Sequence, residues 1–288
     1  MKRRLIEEPE LERYPKQFRS LMEGTQLYSA KFSKYSNVIY VDRDGGYFIK
    51  ATPPGKLQRE AEMTRFFHEK GLAAEVVAYI SAKNQEWDPQ KWDELMTCFY
   101  PFRDPADQDW LLTRRVPGED CTDRSLLDDP EVLCDRLAEA LQVLHSTDPT
   151  GYTGGDRTSL YLEQITRSHD AGRYDTSIYI GMPPHPFGSK EEAWAIVEKN
   201  RGYLKSDVLI HGDFCLPNVL FHNVKFSGLI DLGNAGLGDR HMDLFWAIWS
   251  LCFNLGTDRY TNRFLDAYGR DKVEPELLRT IAAAELFW

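Results

Sequence analysis

The sequence predicts an α+β protein of two lobes, a β-rich one followed by a mainly helical one, with a cleft between them. Three observations carry this prediction. The first part of the chain is mostly β-rich runs, the later part shows leucines at helical spacing, and Val116-Pro117-Gly118 ends a strand at the junction. Strands first and helices second are the order of a segregated α+β architecture. The length, 288 residues, suits two modules or one large two-part domain.

The elements follow in chain order. Residues 11–30 read as a leading helix and loop. Asn37–Val41 and Tyr47–Ala51 are short strands around Asp42-Arg43-Asp44-Gly45-Gly46, whose Asp-Gly-Gly supplies the positive φ of a hairpin turn. Thr52-Pro53-Pro54-Gly55 breaks the second strand. Leu57, Ala61, Thr64 and Phe67 then fall at helical spacing, and Gly71 stops that helix. Val76–Ile80 is strand-like, residues 81–109 read as an inserted polar loop or lid with one short helix, and Trp110–Arg115 returns to a strand. After the junction, Asp129-Pro130-Glu131 opens a helix that buries Leu133, Leu137, Leu141 and Leu144. Residues 150–189 are irregular with helical pieces, and 191–203 is a helix. Residues 208–210, 219–221 and 228–230 are short strands, and helices over 243–253, 260–268 and 275–288 close the chain.

Composition bounds the function. The chain has 45 acidic and 35 basic residues, a net charge of -10, with 42% hydrophobic and 28% charged residues. That is an ordinary soluble globular composition, and its sign excludes a general nucleic-acid or anionic-membrane binder. The surplus is uneven: residues 1–115 carry 19 basic and 18 acidic residues, and residues 116–288 carry 16 and 27. Five cysteines with no CxxC spacing support neither a disulfide framework nor a cysteine zinc site. Met-Lys-Arg-Arg is followed by no apolar signal segment, and Leu244–Leu255 is short of the roughly 20 residues of a membrane span. A cytoplasmic, reduced protein is expected.

The motifs narrow the chemistry. A P-loop, a dinucleotide glycine fingerprint, HExxH and G-x-S-x-G are all missing from the sequence. What stands out is His211-Gly212-Asp213-x4-Asn218 between two apolar strands, followed by Ile230-Asp231-Leu232-Gly233. An Asp at the attacking hydroxyl, with an Asn and a second Asp on magnesium, are recurring parts of kinase-type phosphoryl transfer. Asp213 is expected to orient the acceptor hydroxyl and take its proton. Asn218 and Asp231 supply the hard oxygen ligands that Mg2+ prefers. Lys50 ends a strand where it can reach phosphates, and Glu60 on the next helix can hold it. An isolated Asp-x4-Asn is usually a turn; the ordered set is far more specific.

The set resembles the aminoglycoside phosphotransferases, particularly the aminoglycoside 3'-phosphotransferase branch of the kinase-like superfamily. The resemblance extends through Leu57-Gln58-Arg59-Glu60, Trp110–Thr113 with Val116–Asp120, Leu137–Leu141 with Leu144–Pro149, Ser227–Asp231, Gly238-Asp239-Arg240 and Glu285-Leu286-Phe287. It implies a bilobal protein-kinase-like fold. Residues 1–115 would be the nucleotide-binding lobe, with the insertion at 81–109, and 116–288 the catalytic and substrate-binding lobe. It also implies ATP or GTP with Mg2+ and a small cationic acceptor, with no nucleic-acid or membrane partner, in a monomer or weak dimer. Phe48 would stack on adenine, the backbone of Arg114 and Val116 would read its edge, and Ser33 or Ser36 would touch phosphate. His211 would brace the catalytic loop, with Asp239 and Asp243 as caps and loop anchors.

Three departures concern the acceptor. Gly233-Asn234 stands where the family usually has Gly-Arg, Phe253-Asn254 where its aminoglycoside pocket often has an acidic pair, and 81–109 is long. Asn234, Asn254, Glu285 and the Trp288 carboxylate are the candidate substrate contacts, with Asp156, Glu163, Asp170 and Asp175 as further acids. The expected activity is transfer of a γ-phosphate to a small-molecule hydroxyl, foremost the 3'-hydroxyl of an aminoglycoside antibiotic, conferring resistance. The alternatives are a kinase of another hydroxyl compound (a peptide antibiotic, a sugar or an amino alcohol) and a catalytically dead nucleotide- or drug-binding module.

Overall fold

Alternation along Tyr47-Phe48-Ile49-Lys50-Ala51-Thr52 organises the first part of the molecule, because successive strand residues point to opposite faces. The computed structural model describes residues 4–30, 36–82, 105–177 and 187–288. Contacts divide the chain into two units, Met1–Val116 and Pro117–Trp288.

In the first unit, β1 (Arg4–Leu5), β2 (Leu27–Ser29), β3 (Asn37–Val41), β4 (Tyr47–Thr52), β5 (Val76–Ile80) and β6 (Asp109–Arg114) form one sheet in the order β1-β2-β3-β4-β6-β5. All neighbours in it are antiparallel. Tyr47, Ile49 and Ala51 of β4 join Ile39, Val41, Trp110 and Leu112, and helix α1 (Lys16–Met22) covers them with Phe18 and Met22. Burying each large apolar side chain contributes about 1.5–3 kcal/mol. A one-residue slip would expose this set and bury Lys50, so the register is firmly fixed. On the opposite face, Leu57 and Ala61 at the start of helix α2 (Gln58–Glu69) pack against Leu111. The hairpin turn is as expected, with Asp44, Gly45 and Gly46 at φ 49, 91 and 101°. The leading segment differs: Leu27–Ser29 is a strand, because pairing of Leu27 with Val41 completes a ladder that no local pattern reveals. In the inserted segment, Pro105–Asp107 is one 3-10 turn and Asp109 already belongs to β6. The rest of that insertion, 83–104, and Ser33 lie outside the described residues.

In the second unit, helix α3 (Arg124–Leu127) precedes α4 (Pro130–Ser146), whose Leu133, Leu137, Leu141 and Leu144 are fully buried. Asp129 caps α4 by accepting from the Val132 N–H at 3.2 Å. Helices α5 (Arg157–Asp170), α6 (Lys190–Asn200), α7 (Arg240–Leu255), α8 (Thr261–Tyr268) and α9 (Pro275–Ala284) follow. Strands β7 (Glu119–Asp120), β9 (Val219–His222) and β10 (Lys225–Leu229) make a three-stranded sheet, and β8 (Val208–Ile210) pairs with β11 (Gly236–Gly238). The apolar run of α7 is a helix with one face buried, and no described helix is long and apolar enough to cross a membrane.

Two expectations need correction here. The third strand lies at Lys225–Leu229 instead of 228–230, since Asp231 adopts a left-handed conformation and ends the ladder. The closing helix stops at Ala284 and tightens into a 3-10 turn over Glu285–Phe287. Among the helical pieces expected within 150–189, residues 157–170 form one helix capped by Asp156.

Candidate active site

Strand β8 delivers the chain to His211, and the loop to Asn218 is held from beneath. Asp243, in the first turn of α7 and wholly buried, accepts the N–H groups of His211 and Gly212, each at 2.7 Å. His145 spans from the Tyr268 hydroxyl (2.8 Å) to the Asp243 carboxylate (3.2 Å). The Leu216 N–H donates to Ser250 Oγ at 3.0 Å. Gly212 has φ +75°, and a Cβ there would lie 2.4 Å from the Asn234 carbonyl oxygen, so the site requires glycine for both reasons. This close approach seats the His211–Asn218 loop against the loop that carries Asp231.

Two further bonds join those loops. His211 Nε2–H donates to the Ile230 carbonyl at 2.9 Å, and the Ile230 N–H donates to the Asn218 carbonyl at 3.1 Å. Asn218 Nδ2 donates to the Asp213 carbonyl (3.0 Å) and to Asp213 Oδ2 (3.1 Å), which leaves its amide oxygen to accept elsewhere. Burial is the main cause of an Asp213 pKa above the ordinary carboxylate range, and the Asp231 charge adds to it. His211 and the hydrogen bonds from Cys215 and Asn218 oppose the rise. Asp231 is exposed and sits at φ 61°, ψ 52°, a region that non-glycine residues enter at a cost and Asp tolerates better than most.

In the first unit, Lys50 Nζ donates to both carboxylate oxygens of Glu60, at 2.9 and 2.7 Å. β4 alternation puts Lys50 on the α2 face in register with Leu111, and Glu60 sits in the first turn of α2, where the helix dipole favours an acid. Phe48 lies on the same face of β4, its ring 5.2 Å from that of Tyr40. The Arg114 N–H donates to the Glu75 carbonyl (2.9 Å), and its guanidinium lies over the Tyr47 ring (4.6 Å). Val116 and Ser36 are buried.

The acceptor-side candidates behave less uniformly. Asn234 Oδ1 accepts from Arg157 Nη2 at 3.5 Å, so a half-turn of α5 supplies a guanidinium beside it. Asn254 Nδ2 donates to the Ser250 carbonyl at 2.8 Å, a helix-internal bond. The Trp288 ring packs on Tyr161 at 5.0 Å. Glu285, a candidate substrate contact, is 5% exposed and accepts from the Tyr161 hydroxyl at 3.0 Å. Burial pushes its carboxyl up to about 8, and the charge of Asp213 contributes to the rise; the Tyr161 bond and the Trp246 indole oppose it. The Trp246 interaction is weak, since Glu285 Oε2 is buried without a well-formed hydrogen bond among the described residues. The further acids are engaged locally: Asp156 caps α5, Asp175 accepts from the Ser177 N–H, Glu163 pairs with Arg167 and Asp170 with His169.

The phosphotransferase enzyme family model matches residues 31–280. The chain belongs to the phosphotransferase enzyme family. It is 33% identical over 277 residues, 96% of each chain, to a probable aminoglycoside 3'-phosphotransferase of Lactococcus lactis. Two solved structures share the fold of this phosphotransferase. One is a type VIII aminoglycoside-3'-phosphotransferase, with TM-score 0.63 and 23% identity over 87% of this chain and 88% of the other. The second is the aminoglycoside phosphotransferase APH(3'')-Id of Streptomyces rimosus in complex with ADP and streptomycin, with TM-score 0.58 and 19% identity over 88% and 90%. The phosphotransferase therefore has the kinase-like α+β fold.

Sequence reasoning missed Asp109. It is buried at the start of β6 and accepts from the Leu57 N–H (3.2 Å), the Tyr79 hydroxyl (3.3 Å) and the Ala82 N–H (3.0 Å), which pins the start of α2. No local pattern marks it, because two of its partners lie 52 and 27 residues away. Among the described residues no group of three or more His, Cys, Asp or Glu is placed to hold a metal. Asn218 and Asp231 still fit Mg2+, which needs only one or two protein oxygens beside substrate phosphates, and the amide oxygen of Asn218 is turned away from its bonds to Asp213.

Proposed function

We propose that this phosphotransferase moves the γ-phosphoryl group of ATP or GTP to the 3'-hydroxyl of an aminoglycoside, in the cytoplasm, and so confers resistance to the antibiotic. The observation that carries the reading is the binding of Asn218 to Asp213 in a loop anchored on Asp243, with Asp231 close enough to raise the Asp213 pKa. The antibiotic as acceptor is supported by the named relatives.

Asp213 Oδ accepts the acceptor's O–H proton as that oxygen bonds to Pγ and the Pγ–O bond to the nucleoside diphosphate breaks. Its raised pKa suits a base. Asn218 fixes the carboxylate's direction, and Lys50, steadied by Glu60, is assigned to the nucleotide's phosphates. Bound Mg2+ would be held by Asn218 and Asp231 and would neutralise charge on the transferring phosphoryl group. Positioning and electrostatics dominate such a reaction.

Phe253-Asn254 favours a second reading, in which the acceptor is another hydroxyl compound, such as a peptide antibiotic, a sugar or an amino alcohol. Phosphoryl transfer to a panel of aminoglycosides and amino alcohols separates the two. In either case Asp213→Asn is expected to lower turnover by about 100-fold or more while nucleotide binding survives, and wild-type turnover should fall as pH drops through the raised Asp213 pKa. Unchanged turnover in Asp213→Asn would end the assignment.

A further inference from the structure

The helix face beside the catalytic loop is aromatic. The Leu216 N–H bonds Ser250 and the Cys215 thiol donates to the Trp246 carbonyl (3.9 Å), so residues 246–250 of α7 border the loop that carries Asp213. Along α7 the helical period joins Trp246 to Trp249, edge-on at 5.5 Å, and Trp249 to Phe253, stacked at 5.2 Å with planes 8° apart. Phe253 is 59% exposed. A single exposed Phe needs no explanation. Here it is the outer end of a continuous aromatic track, and the inner end, Trp246, adjoins Glu285, which in turn feels the charge of Asp213. Asn254 turns its amide into Ser250, so the ring of Phe253 is what this turn of α7 presents outward.

Aromatic faces carry negative potential and attract organic cations. The charge of this part of the chain has the same preference, with 27 acidic against 16 basic residues over 116–288. We propose that Trp249 and Phe253 form the acceptor platform of this phosphotransferase, holding a hydroxyl-bearing organic cation by cation–aromatic attraction. The inference rests on the phosphotransfer reading above for its role in turnover, and on the ring geometry alone for binding. A ring pair imposes few hydrogen-bond directions, so the platform accepts ammonium groups in several placements and sets specificity by charge and shape.

The test uses the purified 288-residue chain and three variants, Phe253→Tyr, Phe253→Leu and Trp249→Leu. Tryptophan fluorescence is titrated with kanamycin and with choline, without nucleotide. Saturable changes are expected in wild type, within about twofold of it in Phe253→Tyr, and weakened about 3- to 30-fold in Phe253→Leu, which keeps apolar area but loses the ring face. Trp249→Leu should weaken binding in the same range. Where kanamycin is phosphorylated, its KM should rise by the same factor in Phe253→Leu while KM for ATP stays put. No saturable change with either cation, or equal binding by wild type and Phe253→Leu, overturns the platform. Weakened binding in Phe253→Leu supports it even where wild type transfers no phosphoryl group, an outcome that counts against the proposed function alone.

Discussion

Replacing Glu285 by Gln removes the proton equilibrium of a carboxyl that the fold keeps largely neutral. Its ordinary pKa of 4.5 is raised to about 8 in the folded protein. Between those two pH values the unfolded chain has released this proton and the folded chain retains it. Wild-type stability therefore falls with rising pH through that window, by about 1.4 kcal/mol per pH unit. The Gln side chain does not titrate, so the stability of Glu285→Gln relative to wild type should climb by about 3 kcal/mol from about pH 5.5 to about pH 7.5. A constant offset is also expected, because the new amide N–H would sit where Oε2 is buried without a well-formed bond, a defect costing about 1–3 kcal/mol at every pH. The slope and not the offset is the measurement, read from urea unfolding of both proteins across the pH range. A wild-type-to-variant gap that stays flat with pH would show that Glu285 ionises normally in the folded state. Asp213→Asn should shrink the gap, since it removes one of the charges holding the Glu285 pKa up.

Gly212→Ala forces a Cβ to within 2.4 Å of the Asn234 carbonyl at a positive φ; the left-handed backbone alone costs about 1–2 kcal/mol, so a lowered thermal midpoint with turnover near zero is expected. Lys50→Met removes the cation that Glu60 holds at 2.7 Å, and KM for ATP should rise about 10- to 100-fold, the worth of one charge-assisted hydrogen bond. Asp109→Ala strands two buried N–H groups and a hydroxyl, with an expected loss of about 3 kcal/mol or more in urea unfolding.

The features that were legible in the sequence are those with a local signature. Asp44-Gly45-Gly46 gave the hairpin whose second strand carries Lys50, the leucine spacing of α4 gave a buried helix, and Asp129-Pro130 gave its start. β7 and β11, of two and three residues, are too short to show a period and exist only through pairing with β9 and β8. The Asp243 contacts link residues 31 and 32 positions apart, so the sequence suggested a loop anchor without naming the N–H groups it holds. Burial of Glu285 had one signal, a lone carboxylate between Ala284 and Leu286-Phe287-Trp288, and its role depended on Tyr161, 124 residues earlier.

Under the proposed function, Asp231 answers to two selective filters at once. Its backbone at φ 61° admits Gly, Asn and Asp most readily, whereas a magnesium ligand there calls for a carboxylate. Glu would keep the charge and strain the chain; Asn or Gly would suit the chain and lose the charge. The residues passing both filters number one, so neutral drift has no open path through this position. Asp231→Asn is accordingly the substitution that separates chemistry from folding here, because it alters the ligand and leaves the turn undisturbed.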